Sequence, residues 1–375
     1  MRERLLTLGF RALAASTDPL QQAPPVPEDP CRILVIKPCC LGDVLMTTPV
    51  LAALRERFPR STIHYAVAGH ARPAIEGHPD VDAIVDAGPG AGREQRALLR
   101  LLRRMRAGRY DLCLVLERSP MFTVLPYLAG IPVRAGIDSA GRGFALNVRV
   151  PWNESLHEVD LYLSVAGALG CRTTERHLKF VPQRAAREAV ETLWHDHDLG
   201  ERVVAIAPGG GTNPGMDLPE KRWPAERFAA LADRLHFEHG LAIAIIGGQP
   251  DRTVCAAMRA SMRAPAIDLT GAIPFAERAA FFERCALYIG NDSGPMHLAV
   301  AVGCPVVAIF GPTNPELYGP YHARARVVRR DLACSPCFVH GHFPQCPNRH
   351  ACMRGLQLDE VYSACRELLA APLPC

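Results

Sequence analysis

The stretch Gly290-Asn291-Asp292-Ser293-Gly294-Pro295-Met296-His297-Leu298-Ala299 carries the most information about this chain. It follows an apolar run at 286–289 and precedes a helical pattern that ends at Gly303, so it predicts a strand, a tight turn and the first turn of a helix. The free N–H groups and the positive dipole end of a helix start favour phosphate. Because an acid, a hydroxyl and a histidine share this place, the stretch suggests a nucleotide-linked ligand.

Strands and helices alternate outward from this stretch in both directions. Apolar runs predict strands at 32–37, 62–68, 83–86, 112–116, 203–207, 241–246, 287–289 and 306–310. Such alternation is typical of parallel sheets covered by helices on both faces. We therefore predict an α/β protein with two Rossmann-like domains, 31–180 and 181–375, after an amphipathic and irregular N-terminal extension at 1–30. Ligands are expected where the carboxyl ends of the two sheets face each other across a cleft.

Composition narrows the class of protein. With 49% hydrophobic and 21% charged residues among 375, the chain is typical of a soluble globular protein, and its net charge of +4 does not indicate a nucleic-acid partner. No run approaches the ~20 apolar residues of a membrane span. Glu3 and Arg11 interrupt any signal-peptide core, so we expect a cytoplasmic protein whose first residues could touch a membrane surface.

Arginines crowd the segment 93–109, interleaved with leucines and a methionine. One interpretation is a surface helix with a basic outer face. The other is contact with an anionic partner such as a phosphorylated lipid.

Most of the 14 cysteines are scattered through apolar segments, and thiols stay reduced in the cytoplasm. Four are clustered: Cys334, Cys337, Cys346 and Cys352. Only the first pair has tight chelating spacing. A structural zinc or iron site, reduced or opportunistically paired thiols, and a redox role all remain open.

Four predicted strand ends carry polar or glycine-rich motifs. Besides the opening stretch they are Leu41-Gly-Asp43, Gly209-Gly-Gly-Thr-Asn213 and Lys221-Arg-Trp-Pro224, with a further glycine turn at Gly247-Gly248. Taken singly, each has a plain structural interpretation: a helix cap, a flexible loop or a solvated lysine. The residues at 38–43 lack the G-x-G-x-x-G fingerprint, which disfavours a nicotinamide or flavin enzyme.

Together the motifs resemble glycosyltransferase family 9, the bacterial heptosyltransferases that build the inner core of lipopolysaccharide from ADP-heptose. The matching segments are 33–49, 207–211, 221–228, 290–299, 308–313 and 334–337, in the family's order. The resemblance implies a GT-B fold, with the acceptor on the N-terminal domain and the sugar nucleotide on the C-terminal one. The loop 216–220 is longer than the family pattern.

The resemblance also implies roles for individual residues. Asp43 would be the catalytic base in a single inverting displacement. Donor binding would fall to Gly210, Gly211, Thr212, Lys221, Gly248, Asp292, Ser293, Gly294 and His297. Lys221 and a helix start would supply positive charge to the leaving ADP, so the resemblance implies that catalysis requires no cofactor. The partners that it implies are ADP-heptose and an anionic glycolipid at the inner face of the cytoplasmic membrane.

Two alternatives remain open. A family 9 transferase could act on a protein or on another core sugar. In a different class, the chain could be a non-catalytic nucleotide-sugar or metal-binding module built on the cysteine cluster.

Overall fold

The computed structural model describes residues 24–88, 95–213, 216–338 and 343–370. The chain divides into two compact units between His177 and Leu178. Most of the predicted extension at 1–30, and Arg93 of the arginine segment, lie outside the described residues. In the part of the chain that is described, no helix is both long and apolar enough to cross a membrane.

The first unit is built on a six-stranded parallel sheet in the order β3-β2-β1-β4-β5-β6. Its strands are β1 Arg32–Ile36, β2 Thr62–Val67, β3 Ala83–Asp86, β4 Leu112–Val115, β5 Val133–Asp138 and β6 Val148–Pro151. The helices are α1 Leu41–Met46, α2 Thr48–Arg57, α3 Gln95–Gly108, α4 Pro120–Leu128 and α5 Glu158–Gly167, with a 3₁₀ turn at Arg72–Ala74. Residues 33–36 of β1 are fully buried, as expected for a strand covered on both faces.

The second unit repeats this plan, with a six-stranded parallel sheet in the order β11-β10-β7-β12-β13-β14. Its strands are β7 Val203–Ala207, β10 Ala242–Ile245, β11 Ala266–Asp268, β12 Leu287–Asn291, β13 Val306–Ile309 and β14 Ala325–Val328. A small antiparallel hairpin joins β8 Thr212–Asn213 to β9 Met216–Asp217. The helices are α6 Arg184–Asp196, α7 Ala225–His239, α8 Arg252–Ser261, α9 Phe275–Arg284, α10 Gly294–Ala301, α11 Pro315–Tyr318, α12 Ala351–Arg354 and α13 Leu358–Ala370, with 3₁₀ turns at Pro219–Lys221 and Gln249–Asp251.

Leaving the hairpin aside, both sheets have the strand order of a Rossmann fold, which confirms the predicted α/β class. In each sheet the order reverses between two neighbouring strands: β1 and β4 in the first unit, β7 and β12 in the second. Ligands of such folds bind beyond the carboxyl ends of the strands at that reversal. These two places therefore define where a site is expected in each unit.

Candidate active site

Buried Asn291, the last residue of β12, organises the strand ends of the second unit. Its amide nitrogen donates to the carbonyl oxygens of Pro208 and Gly209, each at 2.9 Å, and its amide oxygen accepts from the backbone N–H of Trp223 at 3.0 Å. One side chain thus joins the end of β7, the segment after Lys221 and the end of β12 at the reversal point. The turn begins two residues later than predicted, because the strand continues through Asn291 and does not end at residue 289.

Lys221 and Asp292 form an ion pair at this strand end, with Nζ 2.5 Å from Oδ2. The side chains are 14% and 9% exposed, respectively, so both charges are largely withdrawn from water. The longer loop folds into the β8–β9 hairpin and the 3₁₀ turn that ends at Lys221. With the longer loop folded in this way, Lys221 reaches Asp292 just beyond the end of β12, and the two charges are held at one place.

The glycine loop after β7 and the glycine turn after β10 both donate hydrogen bonds to one carboxylate, that of Asp251. The backbone N–H of Gly210 donates to Oδ1 of Asp251 at 3.0 Å, and that of Gly248 donates to Oδ2 at 2.8 Å. A Cβ on Gly209 would lie 2.1 Å from Oδ1 of Asp251, so only glycine allows this approach. The N–H groups of Gly210 and Gly248 hold Asp251 in this structure and are not turned to a free space for phosphate.

Gly210 and Gly211 both have positive φ, at 103° and 78°, a conformation that side chains other than glycine rarely adopt. Arg222 stabilises the same loop, with Nε donating to the carbonyl of Gly210 at 2.9 Å and Nη2 donating to the Thr212 hydroxyl at 3.1 Å. The Thr212 hydroxyl itself donates to Asp217 at 3.1 Å. Thr212 is thus part of the hairpin, and its hydroxyl is engaged within the protein.

The start of α10 remains accessible beside this loop. Ser293 and Gly294 are half-buried, and the Ser293 hydroxyl donates to the carbonyl of Asn291 at 3.1 Å instead of capping the helix. The N–H groups of the first helical turn therefore have no side-chain cap. His297, one turn later, is buried.

In the first unit, Asp43 lies in the first turn of α1, just beyond the end of β1. Its carboxylate is 3.2 Å from Nζ of Lys37, and the same Nζ lies 3.3 Å from Oε2 of Glu117, which follows β4. Lys37 therefore joins the ends of β1 and β4 across the reversal point. Asp43 is 37% exposed, whereas the lysine side chain is 6% exposed.

Two pKa shifts reflect this arrangement. Burial on its own lowers the pKa of Lys37, but Glu117, Tyr162 and Asp43 outweigh it and hold that pKa well above its usual value. Burial raises the pKa of Glu117, but the ammonium of Lys37 outweighs burial and leaves it below its usual range. The lysine and the glutamate are therefore charged across the neutral pH range.

A second pair extends the network. Glu158 is buried at the start of α5, and Arg118 contacts it at 3.0 Å. Tyr162, one turn along α5, is also buried, and burial holds its pKa well above the usual value. Lys37 lies 5.6 Å from the centre of its ring.

The four clustered cysteines lie near one another in the second unit. Charges on Cys334, Cys346 and Cys352 contribute to raising the pKa of Cys337, after burial as the larger cause. The side-chain amide of Asn348 donates to Sγ of Cys334 at 3.1 Å. Within the described ranges, no three metal-ligating side chains are arranged to hold an ion.

Sequence reasoning gave no role to four of these residues: Lys37, Glu117, Asn291 and Asp251. Lys37 and Asn291 lie inside the quoted motifs, whereas Glu117 and Asp251 lie outside them. The available signal for Lys37 was a lysine directly after the apolar run 33–36, since a lysine that such a strand buries almost always has a partner. Glu117 occupies the matching place after β4. For Asp251 the sequence offers no signal, because its role depends on a contact across 41 positions.

Comparison with known proteins identifies the family. Residues 98–346 match the model of glycosyltransferase family 9 (heptosyltransferase). Lipopolysaccharide heptosyltransferase 2 of Escherichia coli strain K12 is 30% identical over 316 residues, which cover 80% of this chain and 88% of that protein. Lipopolysaccharide heptosyltransferase 3 of the same strain is 25% identical over 358 residues, covering 89% and 96%.

Solved structures agree with these relatives. A glycosyl transferase family 9 structure from Veillonella parvula DSM 2008 matches with a TM-score of 0.72 and 28% identity, covering 82% of this chain and 87% of that one. The E. coli ADP-heptose lps heptosyltransferase II matches with a TM-score of 0.71 and 25% identity, covering 90% and 98%. With two Rossmann-like sheets in one chain, the GT-B fold class is confirmed.

Proposed function

The chain belongs to glycosyltransferase family 9, and from that premise we propose that it transfers a heptose from ADP-heptose to the inner core of lipopolysaccharide. We infer the substrates from the relatives, which are named lipopolysaccharide heptosyltransferases, and from one solved structure that is named for ADP-heptose. The observation that carries the proposal is the Lys221–Asp292 pair beside the open start of α10. A cation, a carboxylate and free N–H groups at one strand end suit a sugar diphosphate.

In the donor half, the roles follow from charge. Lys221 would bind the diphosphate and stabilise the negative charge that develops as ADP leaves. The N–H groups at Ser293 and Gly294 would add to this effect. Asp292 would accept hydrogen bonds from heptose hydroxyls, and His297 would pack against the diphosphate or ribose.

The glycine loop would act mainly by shaping this site. Because Gly210 and Gly248 already donate to Asp251, we propose that they fix the loop backbone, while Gly211 and Thr212 border the nucleotide. A ligand that displaced Asp251 would have to replace two hydrogen bonds.

In the acceptor half, Asp43 would take the proton from the attacking acceptor hydroxyl. The hydroxyl oxygen bonds to the anomeric carbon as the bond from that carbon to the ADP oxygen breaks. The configuration at the anomeric carbon inverts, and ADP leaves with the electron pair. Lys37 would keep the Asp43 carboxylate at a fixed position, and Glu117 would hold the lysine in turn.

Catalysis in this scheme uses only groups of the protein, with no cofactor. For the cysteine cluster we propose a structural zinc or iron, bound by Cys334, Cys337, Cys346 and Cys352. Metal binding would draw these sulfurs together, because no three of them surround one point in the described residues. The support is four neighbouring thiols, two of which already accept N–H donors. Metal analysis of the purified protein tests this: about one equivalent of metal that is lost in Cys334→Ser supports it, and metal-free protein contradicts it.

The acceptor class also calls for a membrane surface, and α3 with α4 offers a suitable face. Leu99, Tyr127 and Leu128 are exposed by 54%, 52% and 47%, beside the exposed arginines 96, 100 and 103. Arg106 links the two helices by donating to the carbonyl of Leu128 at 3.0 Å. We propose that this basic, partly apolar face of a cytoplasmic protein rests on anionic lipid. Binding to anionic vesicles should weaken with salt and with Arg100→Gln, and equal binding to neutral vesicles contradicts the proposal.

Mass spectrometry of lipopolysaccharide from a strain lacking the protein tests the function. We expect a core that ends before the missing heptose and lacks every sugar attached beyond it, restored by the wild-type gene and not by Asp43→Asn. An unchanged core contradicts the proposal. A missing sugar on a protein, or on an outer core position, would favour the alternative acceptors. Unchanged sugars throughout would favour the non-catalytic module.

A further inference from the structure

Two adjacent cysteines, Cys39 and Cys40, occupy the loop between β1 and α1. Their Sγ atoms lie 2.8 Å apart, within hydrogen-bond distance, and both residues are half-buried, so reagents can reach them. The carbonyl oxygen of Cys40 accepts from the N–H of Val44 at 2.9 Å, and Cys40 therefore begins the helix that carries Asp43. The pair lies in the loop directly before the proposed base Asp43, and the proposed reaction uses neither thiol.

The surroundings of the two sulfurs make them unequal. A hydrogen bond from the Cys40 thiol, stronger than the opposing effect of burial, lowers the pKa of Cys39 to about 6, with help from His70 and slight opposition from Asp43. The same hydrogen bond and burial raise the pKa of Cys40. The two pKa shifts have opposite directions, so deprotonation is favoured at Cys39, whose sulfur accepts a hydrogen bond from the Cys40 thiol. Lys37 slightly offsets the rise at Cys40.

Other thiols of the chain differ from Cys39. Cys113, Cys285, Cys304 and Cys365 are buried, and burial raises the pKa of each. Buried thiols with raised pKa are unreactive. These four buried thiols are therefore not expected to compete with Cys39 for a small disulfide.

We propose that Cys39 is a modification site for low-molecular-weight disulfides, and that its thiolation turns off the catalytic loop. The Cys39 thiolate attacks one sulfur of the small disulfide, a protein–ligand S–S bond forms, the original S–S bond breaks, and one small thiolate leaves. Two electrons pass from Cys39 to the leaving thiol, so the step is balanced by the small disulfide alone. Reduction by an external thiol reverses it.

Backbone geometry explains why the adduct should persist. Neighbouring Cα atoms across a trans peptide are about 3.8 Å apart, whereas disulfides need roughly 4.4–6.8 Å. Cys40 is therefore badly placed to displace the adduct by forming a disulfide with Cys39. The adduct would instead occupy the half-buried loop and shift the start of α1, and with it Asp43.

Mass spectrometry of the full chain after treatment with oxidised glutathione at pH 7 tests the site. We expect one glutathionyl group, mapped to Cys39 and absent from Cys39→Ser, while Cys31→Ser, a control at an exposed cysteine, is still modified. Iodoacetamide alkylation of Cys39 should have its half-maximal rate near pH 6. At that pH it should be on the order of 10-fold faster than for a free cysteine peptide.

A second variant separates the hydrogen bond from simple exposure. In Cys40→Ala the pH midpoint for Cys39 should rise toward the ordinary value of about 8.5. An adduct that maps elsewhere, or a midpoint near 8.5 in the wild type, overturns the proposal.

The effect on activity rests on the proposed function and is measured separately. Glutathionylated protein should lose transfer activity and regain it with dithiothreitol, while Cys39→Ser keeps its own untreated activity through the same treatment. If the adduct forms at Cys39 and activity is unchanged, the regulatory part is wrong. If the protein transfers no heptose, the adduct at Cys39 should still form. Failure of the proposed function can therefore be distinguished from failure of the modification site.

Discussion

Replacing Lys37 by methionine tests whether a buried cation organises the proposed base. The substitution keeps the length and apolar stem of the side chain and removes the charge that lies 3.2 Å from Asp43 and 3.3 Å from Glu117. Removing one partner of a buried pair costs about 3–5 kcal/mol. Because the two carboxylates are 37% and 22% exposed, water offsets part of this loss, and we expect about 2–3 kcal/mol.

Calorimetry of the purified protein measures the effect. For a unit of this size the loss corresponds to a decrease in melting temperature of about 4–12 °C. Arg60→Met is a matched control, because Arg60 is 80% exposed and pairs with Asp29 at the surface of the same unit. That control should change the free energy of unfolding by less than about 1 kcal/mol.

The double variant Lys37→Met/Glu117→Gln distinguishes an ion pair from lost packing. Neutralising the glutamate removes one of the two carboxylate charges that lost the lysine, so the double variant should be at least about 1 kcal/mol more stable than the sum of the single losses predicts. In the transfer assay, Lys37→Met should lower kcat on the order of 10–100-fold with the KM for the donor unchanged, since Asp43 loses its fixed partner. The reasoning is refuted if Lys37→Met and Arg60→Met have the same melting temperature. It is also refuted if the loss in the double variant equals the sum of the two single losses.

Three further predictions follow from the two strand ends. Asn291→Ala leaves three backbone groups without their partner at a buried position, and urea unfolding should show a loss of about 3 kcal/mol or more in the second unit; a loss below 1 kcal/mol contradicts this. Calorimetric titration should show ADP affinity falling at least 10-fold in Lys221→Met but not in Asp292→Asn, because only the lysine attracts the diphosphate; equal losses would sink these roles. The lowered pKa of Glu117 adds stability that is present above its unfolded pKa of about 4.3 and is lost as the pH falls through the folded value. The advantage of the wild type over Glu117→Gln in urea should therefore shrink below pH 4, and a constant difference from pH 7 to pH 3 would contradict the ion pair with Lys37.

Sequence reasoning predicted the fold well because its signals are local. Strands such as Val203–Ala207 are continuous apolar runs, and burial on both faces of a parallel sheet requires that pattern. The repetition of strand and helix then leaves few topologies, because parallel connections are almost always right-handed. The GT-B class came from the order of the motifs, and the family match covers the motifs from 207 to 337.

The site was less predictable because its contacts join distant parts of the chain. Lys221 could be placed near Asp292 only once the hairpin at 212–217 was known, and no local pattern announces that a longer loop will fold back. The glycine loop illustrates the reverse case. The glycines resemble a phosphate-binding loop in the sequence, but the N–H groups of Gly210 and Gly248 donate to Asp251. No sequence pattern indicates that this carboxylate lies there.

The most direct test of the central claim is heptose transfer by the purified protein with ADP-heptose and two lipopolysaccharide acceptors, one lacking all heptose and one carrying the first. Mass spectrometry follows the acceptor, and a coupled assay follows the release of ADP. We expect one heptose on one of the two acceptors for each ADP released, and a rate for Asp43→Asn that is at least about 100-fold lower while ADP binding is kept. Transfer at the wild-type rate by Asp43→Asn, or ADP release without a heavier acceptor, would contradict the account.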